Sequence, residues 1–242
     1  MCNKHQTTKQ INQSDLESFL NQLNLRTPKQ SRNVDVDNSA IATYLEYFTG
    51  QSERHANALV SGRIQVGQWL QRMESELYNL QWTMYAIGAG GVQNLDASDV
   101  AEINQIVNEQ SNFLRRWAAQ LRVDEPTNAN AITSRANLYG AQAASNTVAI
   151  AETRALALPR LPFYPSDRTL CWTNCKCNWR IKALEGNGNF DCVWVLGIAE
   201  HCEVCLYRAK NVSSRKPLKV RDGVIVDAVQ YRNPRYYDSF YR

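Results

Sequence analysis

Cys171-Trp-Thr-Asn-Cys175-Lys-Cys177-Asn-Trp179, then Cys192, then His201-Cys202-Glu-Val-Cys205, hold six of the seven cysteines and one of the three histidines. Two close clusters, C-x3-C-x-C and H-C-x2-C, stand at either end of this stretch. In the second, thiolates two residues apart can reach one ion, and two thiolates of the first would complete a tetrahedral four-cysteine site for Zn²⁺. Disulfides are the competing reading, and they need an oxidising compartment. Buried free thiols are a third, since cysteine packs like a small hydrophobe. Zinc is favoured on the ligand spacing.

Between the clusters the apolar pattern has period two. Trp179-Arg-Ile-Lys-Ala-Leu alternates, Gly186-Asn-Gly188-Asn is a turn, and Phe190-Asp-Cys-Val-Trp-Val-Leu returns. Antiparallel pairing of that hairpin brings both clusters to one end. Cys171, Cys175, Cys202 and Cys205 are the expected ligands, with Cys177 the first replacement. Cys192 falls inside the strand as a core residue, and His201 is expected beside the site or on the surface. Further on, Leu206 begins a short helical turn, and Leu218-Lys-Val-Arg-Asp-Gly-Val-Ile-Val has the form of a second hairpin about Asp222-Gly223.

Upstream the pattern is helical. Ser14-Asp-Leu-Glu17 is a capping box ahead of Leu16, Phe19, Leu20 and Leu23, and Pro28 ends that short helix. Lys29 to Asn38 is polar and extended, so residues 1–38 read as an arm. Ser39 to Phe48 begins a second helix, punctuated by Gly50. Leu59, Val66, Leu70, Met73, Leu77, Leu80, Met84 and Ile87 then follow three-four spacing, broken only by Arg63. They predict one long helix of about 30–35 residues. Its stripe suits the core of a bundle, or a coiled-coil contact with another chain. Gly88-Ala-Gly90-Gly91 stops it, without the Lys-Ser or Lys-Thr of a phosphate loop. Asp96 caps the next helix, which Pro126 ends, and an alanine-rich helix spans about Asn130 to Leu156. Pro159, Pro162 and Pro165 then force an extended crossing.

The expected fold is therefore α+β. An arm (1–38) precedes a helical domain (39–158), a small zinc-stapled antiparallel β domain (159–230) and an aromatic, basic tail (231–242). Hydrophobic residues make up 44% of the chain, enough for a packed core, and a formal charge of +4 demands no nucleic-acid partner. The N-terminal residues lack an apolar h-region and nothing approaches a membrane span, which predicts synthesis in the cytosol. The tail carries four tyrosines, one phenylalanine and three arginines, suited to a protein contact. Packing on its own surface and stacking on single-stranded nucleic acid are the other readings.

Catalysis is not expected. His201-Cys-Glu203 matches half of the zinc-deaminase signature, but no P-C-x2-C follows. The metalloprotease H-E-x-x-H is missing, and no serine motif accompanies His5 or His55. Thiolates are plentiful and histidines few, as in a structural site.

Leu161-Pro-Phe-Tyr-Pro-Ser-Asp-Arg-Thr-Leu-Cys171-Trp-Thr-Asn-Cys175-Lys-Cys177-Asn-Trp, with Ala199-Glu-His-Cys202-Glu-Val-Cys205-Leu-Tyr-Arg-Ala after a hairpin, resembles a known pattern. It is similar to the cysteine-bearing C-terminal regions of tailed-bacteriophage minor head proteins, the Mu F-like head-morphogenesis group. The resemblance covers about Pro159 to Lys210; here the H-C-x-x-C element follows the N-C-x-C element rather than preceding it. It implies a structural, non-enzymatic component of a phage head or neck, assembled in the host cytoplasm and built into the virion. Portal, major capsid or neck subunits would be its partners, in a homo-oligomeric or repeated assembly. A zinc-containing nucleic-acid-binding module is the alternative.

Overall fold

A computed structural model describes residues 38–121, 128–165, 175–186, 188–198 and 200–226. The arm, Cys171 and the tail expected from the sequence lie outside the described residues. Helices α1 (Asn38–Val60), α2 (Val66–Gly88) and α3 (Ala97–Ala118) come first. A continuous rod follows: α4 (Ala129–Gln142), a π-turn (Ala143–Thr147) and α5 (Val148–Ala155). Strands β1 (Asn178–Ala183) and β2 (Phe190–Val195), helix α6 (Glu203–Asn211), and strands β3 (Leu218–Arg221) and β4 (Val224–Val226) complete the order. The fold is α+β, with the helices before a four-stranded antiparallel sheet of order β1-β2-β3-β4.

The single long helix is corrected to two. The chain folds back at Ser61-Gly62, where Gly62 takes φ +72° and the Ile64 N–H donates to the Ala58 carbonyl. That closure is a helix-ending left-handed cap, and it tucks Ile64 into the core. Three-four spacing survives the fold because the turn happens to return Val66 to the apolar face. Gly50, expected to punctuate, stays inside α1, where the space beside its Cα is open.

Two apolar clusters fill the structure. The first joins α1 to α4, with Trp69 and Trp117 edge to face at 5.0 Å between ring centroids. The second runs from Tyr85 and Ile103 through Ile150 to Cys192, Trp194, Leu218 and Val220 of the sheet. Residues 156–165 cross the second as a strap: Ala157 leaves the helix at φ 58°, and the prolines hold the rest extended. Asn146 donates to the Pro165 carbonyl, and the hydroxyls of Thr153 and Tyr164 pair at 2.9 Å. Phe163 is the strap's wedge. It stacks on Trp179 at 4.8 Å, meets Trp194 edge-on at 5.0 Å, and lies under the Arg208 guanidinium at 4.3 Å.

A polar knot ties α2, α3 and α5 together at the same end. Asp99 accepts from the Tyr85 hydroxyl at 2.8 Å and from Arg154 Nε at 2.6 Å, and is only 8% exposed. Burial, with the Asp99 carboxylate beside it, holds the Tyr85 phenol well above its usual range, so it serves as a donor.

β2 shows the expected alternation, with Cys192 and Trp194 facing the core. In register, Cys192 opposes Ile181 of β1 and Leu218 of β3. Asp222 (φ 50°) and Gly223 (φ 75°) form the mirror-image turn that two-residue hairpins favour.

Truncating Phe163 to alanine removes the wedge from three aromatic and cationic partners. We expect a loss of about 3–5 kcal/mol in chemical denaturation. Glu152 on α5 gives a pH signature. Burial pushes its carboxyl from the ordinary 4.5 up to about 7. The neutral form suits the fold, so this stability is complete below about 4.5 and is lost as pH rises through about 7. Glu152→Gln should melt with wild type at pH 4 and above it at pH 8, by on the order of 2–3 kcal/mol.

Candidate metal centre

The two ends of the β1–β2 hairpin meet as its register demands. Asn178, which follows the first cluster, pairs with Val195, which precedes the second. Cys175 and Cys177 sit on the extended approach to β1, and Cys205 lies in the first turn of α6. The Sγ atoms of Cys175, Cys177 and Cys205 all fall within 4.8 Å of one another. Cys175 and Cys205 are 3.7 Å apart. Two sulfurs at 2.3 Å from a tetrahedral zinc stand about 3.8 Å apart, so the thiols already have the spacing of a coordination edge. That distance also excludes a disulfide between them, whose sulfurs would be bonded at about 2.0 Å.

The electrostatics hold these thiols protonated in the absence of a cation. Cys205 is raised far above the ordinary thiol value, first by its hydrogen bond with Cys175, then by burial and by the neighbouring Cys175, Cys177 and Cys202. Cys177 is raised by burial, and the Gly197 N–H donating to its sulfur acts in the other direction. Three buried sulfurs can carry negative charge together only when a cation neutralises it. Backbone adds a smaller share: the first turn of α6 places positive dipole ends near Cys205.

Gly197 is there for want of room. A Cβ at this position would lie 2.1 Å from the Lys176 carbonyl oxygen. The β2 exit therefore packs directly on the peptide between Cys175 and Cys177, and the same contact delivers the N–H to Cys177.

Of the expected ligands, Cys175 and Cys205 are brought together, and Cys177, the expected replacement, joins them. Cys202 is the half-buried N-cap of α6, next to this trio. Cys171 lies outside the described residues. Cys192 is a buried strand residue, and burial pushes its thiol up to about 12. His201 was expected beside the site or on the surface, and its Nδ1 lies 3.7 Å from Cys177 Sγ. A sulfur and a nitrogen sharing one tetrahedral zinc stand about 3.6 Å apart, so His201 is within reach of a corner. The close approach of Gly197 was not apparent from spacing alone. The signal for Gly197 was a lone glycine just after a strand, which marks close backbone approach.

Cys175→Ser and Cys205→Ser should each abolish stoichiometric metal binding, measured by elemental analysis of the purified chain. Cys192→Ala should retain full metal content, because that thiol faces the sheet core.

Comparison of the chain with family models, with curated proteins and with solved structures finds no match.

Proposed function

We propose that this chain is a non-enzymatic structural protein whose C-terminal sheet is stapled by one zinc ion. The observation that carries this reading is the trio of Cys175, Cys177 and Cys205. Their sulfurs are soft donors that suit zinc, and imidazole or a further thiolate would complete a four-coordinate site. Among the described residues, His201 and Cys202 are the adjacent donors for the fourth position. All three cysteines of the trio are buried, with exposures of 3% or less. A catalytic zinc keeps a position open to water and substrate, whereas a closed site supplies folding energy.

The setting we propose is a tailed-phage virion, with the chain as a minor head or neck component that contacts neighbouring subunits. The resemblance of Pro159 to Lys210 to the Mu F-like minor head proteins supports it. A metal-stapled sheet also suits a subunit that must hold its shape through assembly.

Protein purified under reducing conditions should carry about one zinc per chain, and chelation should expose three or four thiols to titration. The chelated protein should melt at a lower temperature and regain its transition when zinc returns. No bound metal under these conditions would overturn the staple. Mass spectrometry of purified particles tests the virion assignment separately, and a chain found only in the infected-cell lysate would defeat it.

A further inference from the structure

The hairpin of α1 and α2 builds a second polar site, unrelated to the cysteines. Gln51, Arg54, His55 and Ala58 recur at three-four spacing along one face of α1, with Asn57 at the edge. Arg63 comes from the turn, and Arg72 from the second turn of α2. Together they line a cleft of about 480 Å³. Ala58 leaves the cleft its depth, since a longer side chain there would fill it.

Exposed arginines are usually a solvated face, and Arg116, Arg135, Arg180 and Arg215 also make no ion pair among the described residues, so what distinguishes this group is that three line one concavity. Arg115, Arg154, Arg160 and Arg221 each hold a carboxylate, at 2.6–2.8 Å. Arg54, Arg63 and Arg72 hold none among the described residues. Arg54 donates weakly to the Gly50 carbonyl of its own helix, and Arg63 to the Ser61 hydroxyl. The cleft lining contains no acid. Glu76, one turn beyond Arg72, sits 3.6 Å from His55 and is mostly buried. Burial, with Arg72 and Arg54 next in effect, keeps the His55 imidazole below its usual value. Extra positive charge is already disfavoured there.

We propose that this cleft binds the phosphate groups of an oligophosphate or phosphodiester through Arg54, Arg63 and Arg72. Guanidinium forks match phosphate oxygens in pairs, and three converging on one concavity suit more than a single negative charge. No Phe, Tyr or Trp lines the cleft, and His55 offers the one small ring, so recognition falls mainly on phosphate. The volume exceeds what one inorganic phosphate would occupy, which favours linked phosphates.

Two probes distinguish the sources: inorganic tripolyphosphate by calorimetry, and a short fluorescein-labelled single-stranded oligonucleotide by anisotropy, both on the full chain at low salt. Arg54→Gln with Arg72→Gln should weaken binding at least about tenfold. Both residues are exposed, and an unchanged thermal melt checks that the hairpin is intact. Arg180→Gln with Lys182→Gln removes the same charge from exposed positions of β1 and should leave affinity unchanged. Tripolyphosphate binding alone would identify a free oligophosphate as the ligand. Oligonucleotide binding that tripolyphosphate competes away would identify a phosphodiester backbone. Binding of neither probe, or equal losses in the two double variants, would overturn the proposal.

Discussion

Phe163 is pressed between two indoles and a buried guanidinium, and the arrangement of the C-terminal half depends on that contact. The sheet is small: β3 and β4 are four and three residues long, and one face of β2 has to find apolar cover. Cover comes from outside the sheet, from the strap and from the ends of α2, α3 and α5. Arg208 holds the arrangement from the α6 side, donating to the Tyr164 carbonyl while its plane covers Phe163. Its charge is tolerable at that depth because two aromatic faces and a carbonyl attend it. Once the strap is in place, Trp179 of β1 and Trp194 of β2 are held against Phe163, close to the segments that carry the cysteines.

The thiols and the aromatic wedge therefore sit in one core cluster beside the same hairpin. The wedge fixes β1 and β2 by dispersion and ring geometry, which need close packing but no ion. The sulfurs bring the approach to β1 against the start of α6, with Cys175 and Cys205 3.7 Å apart. A metal bond would be worth most in such a place, where it would replace packing that a thin layer cannot supply.

Much of this was legible in the sequence, and what was hidden was hidden for physical reasons. The hairpin about Gly186 and Gly188 and the second about Asp222-Gly223 were plain, because alternation with period two and turn residues leave few options. Asp96 announced its helix, and its side chain does accept from the Ser98 and Asp99 amides. The fold-back at Gly62 was not legible. An apolar stripe records which residues reach the core, and a tight helical hairpin can keep that phase while reversing direction. Gly50 misled for the converse reason, since a glycine inside a helix costs only about 1 kcal/mol when packing outweighs it. At the cysteines, spacing told which segments converge but not which sulfurs face inward. That depended on Gly197 approaching Lys176, a contact between residues far apart in the chain.

The π-turn at Ala143–Thr147 carries a consequence for how this chain tolerates change. Each residue in a helix rotates everything after it by about 100°. The wide turn absorbs one residue beyond regular α geometry, and so sets the phase between the rod's two halves. Before it, Ile132, Ala136 and Gly140 face the α1–α2 side; after it, Ala149, Ile150 and Ala151 face the sheet-side core. Gly88, whose added Cβ would come within 2.5 Å of the Val148 carbonyl, leaves α2 and α5 no slack to rotate. One amino acid of length at that point is thus held in reserve: deleting it would let the rod close into regular α geometry with Thr153 and Arg154 still facing their partners, whereas a deletion elsewhere in the rod would turn them away by about 100°.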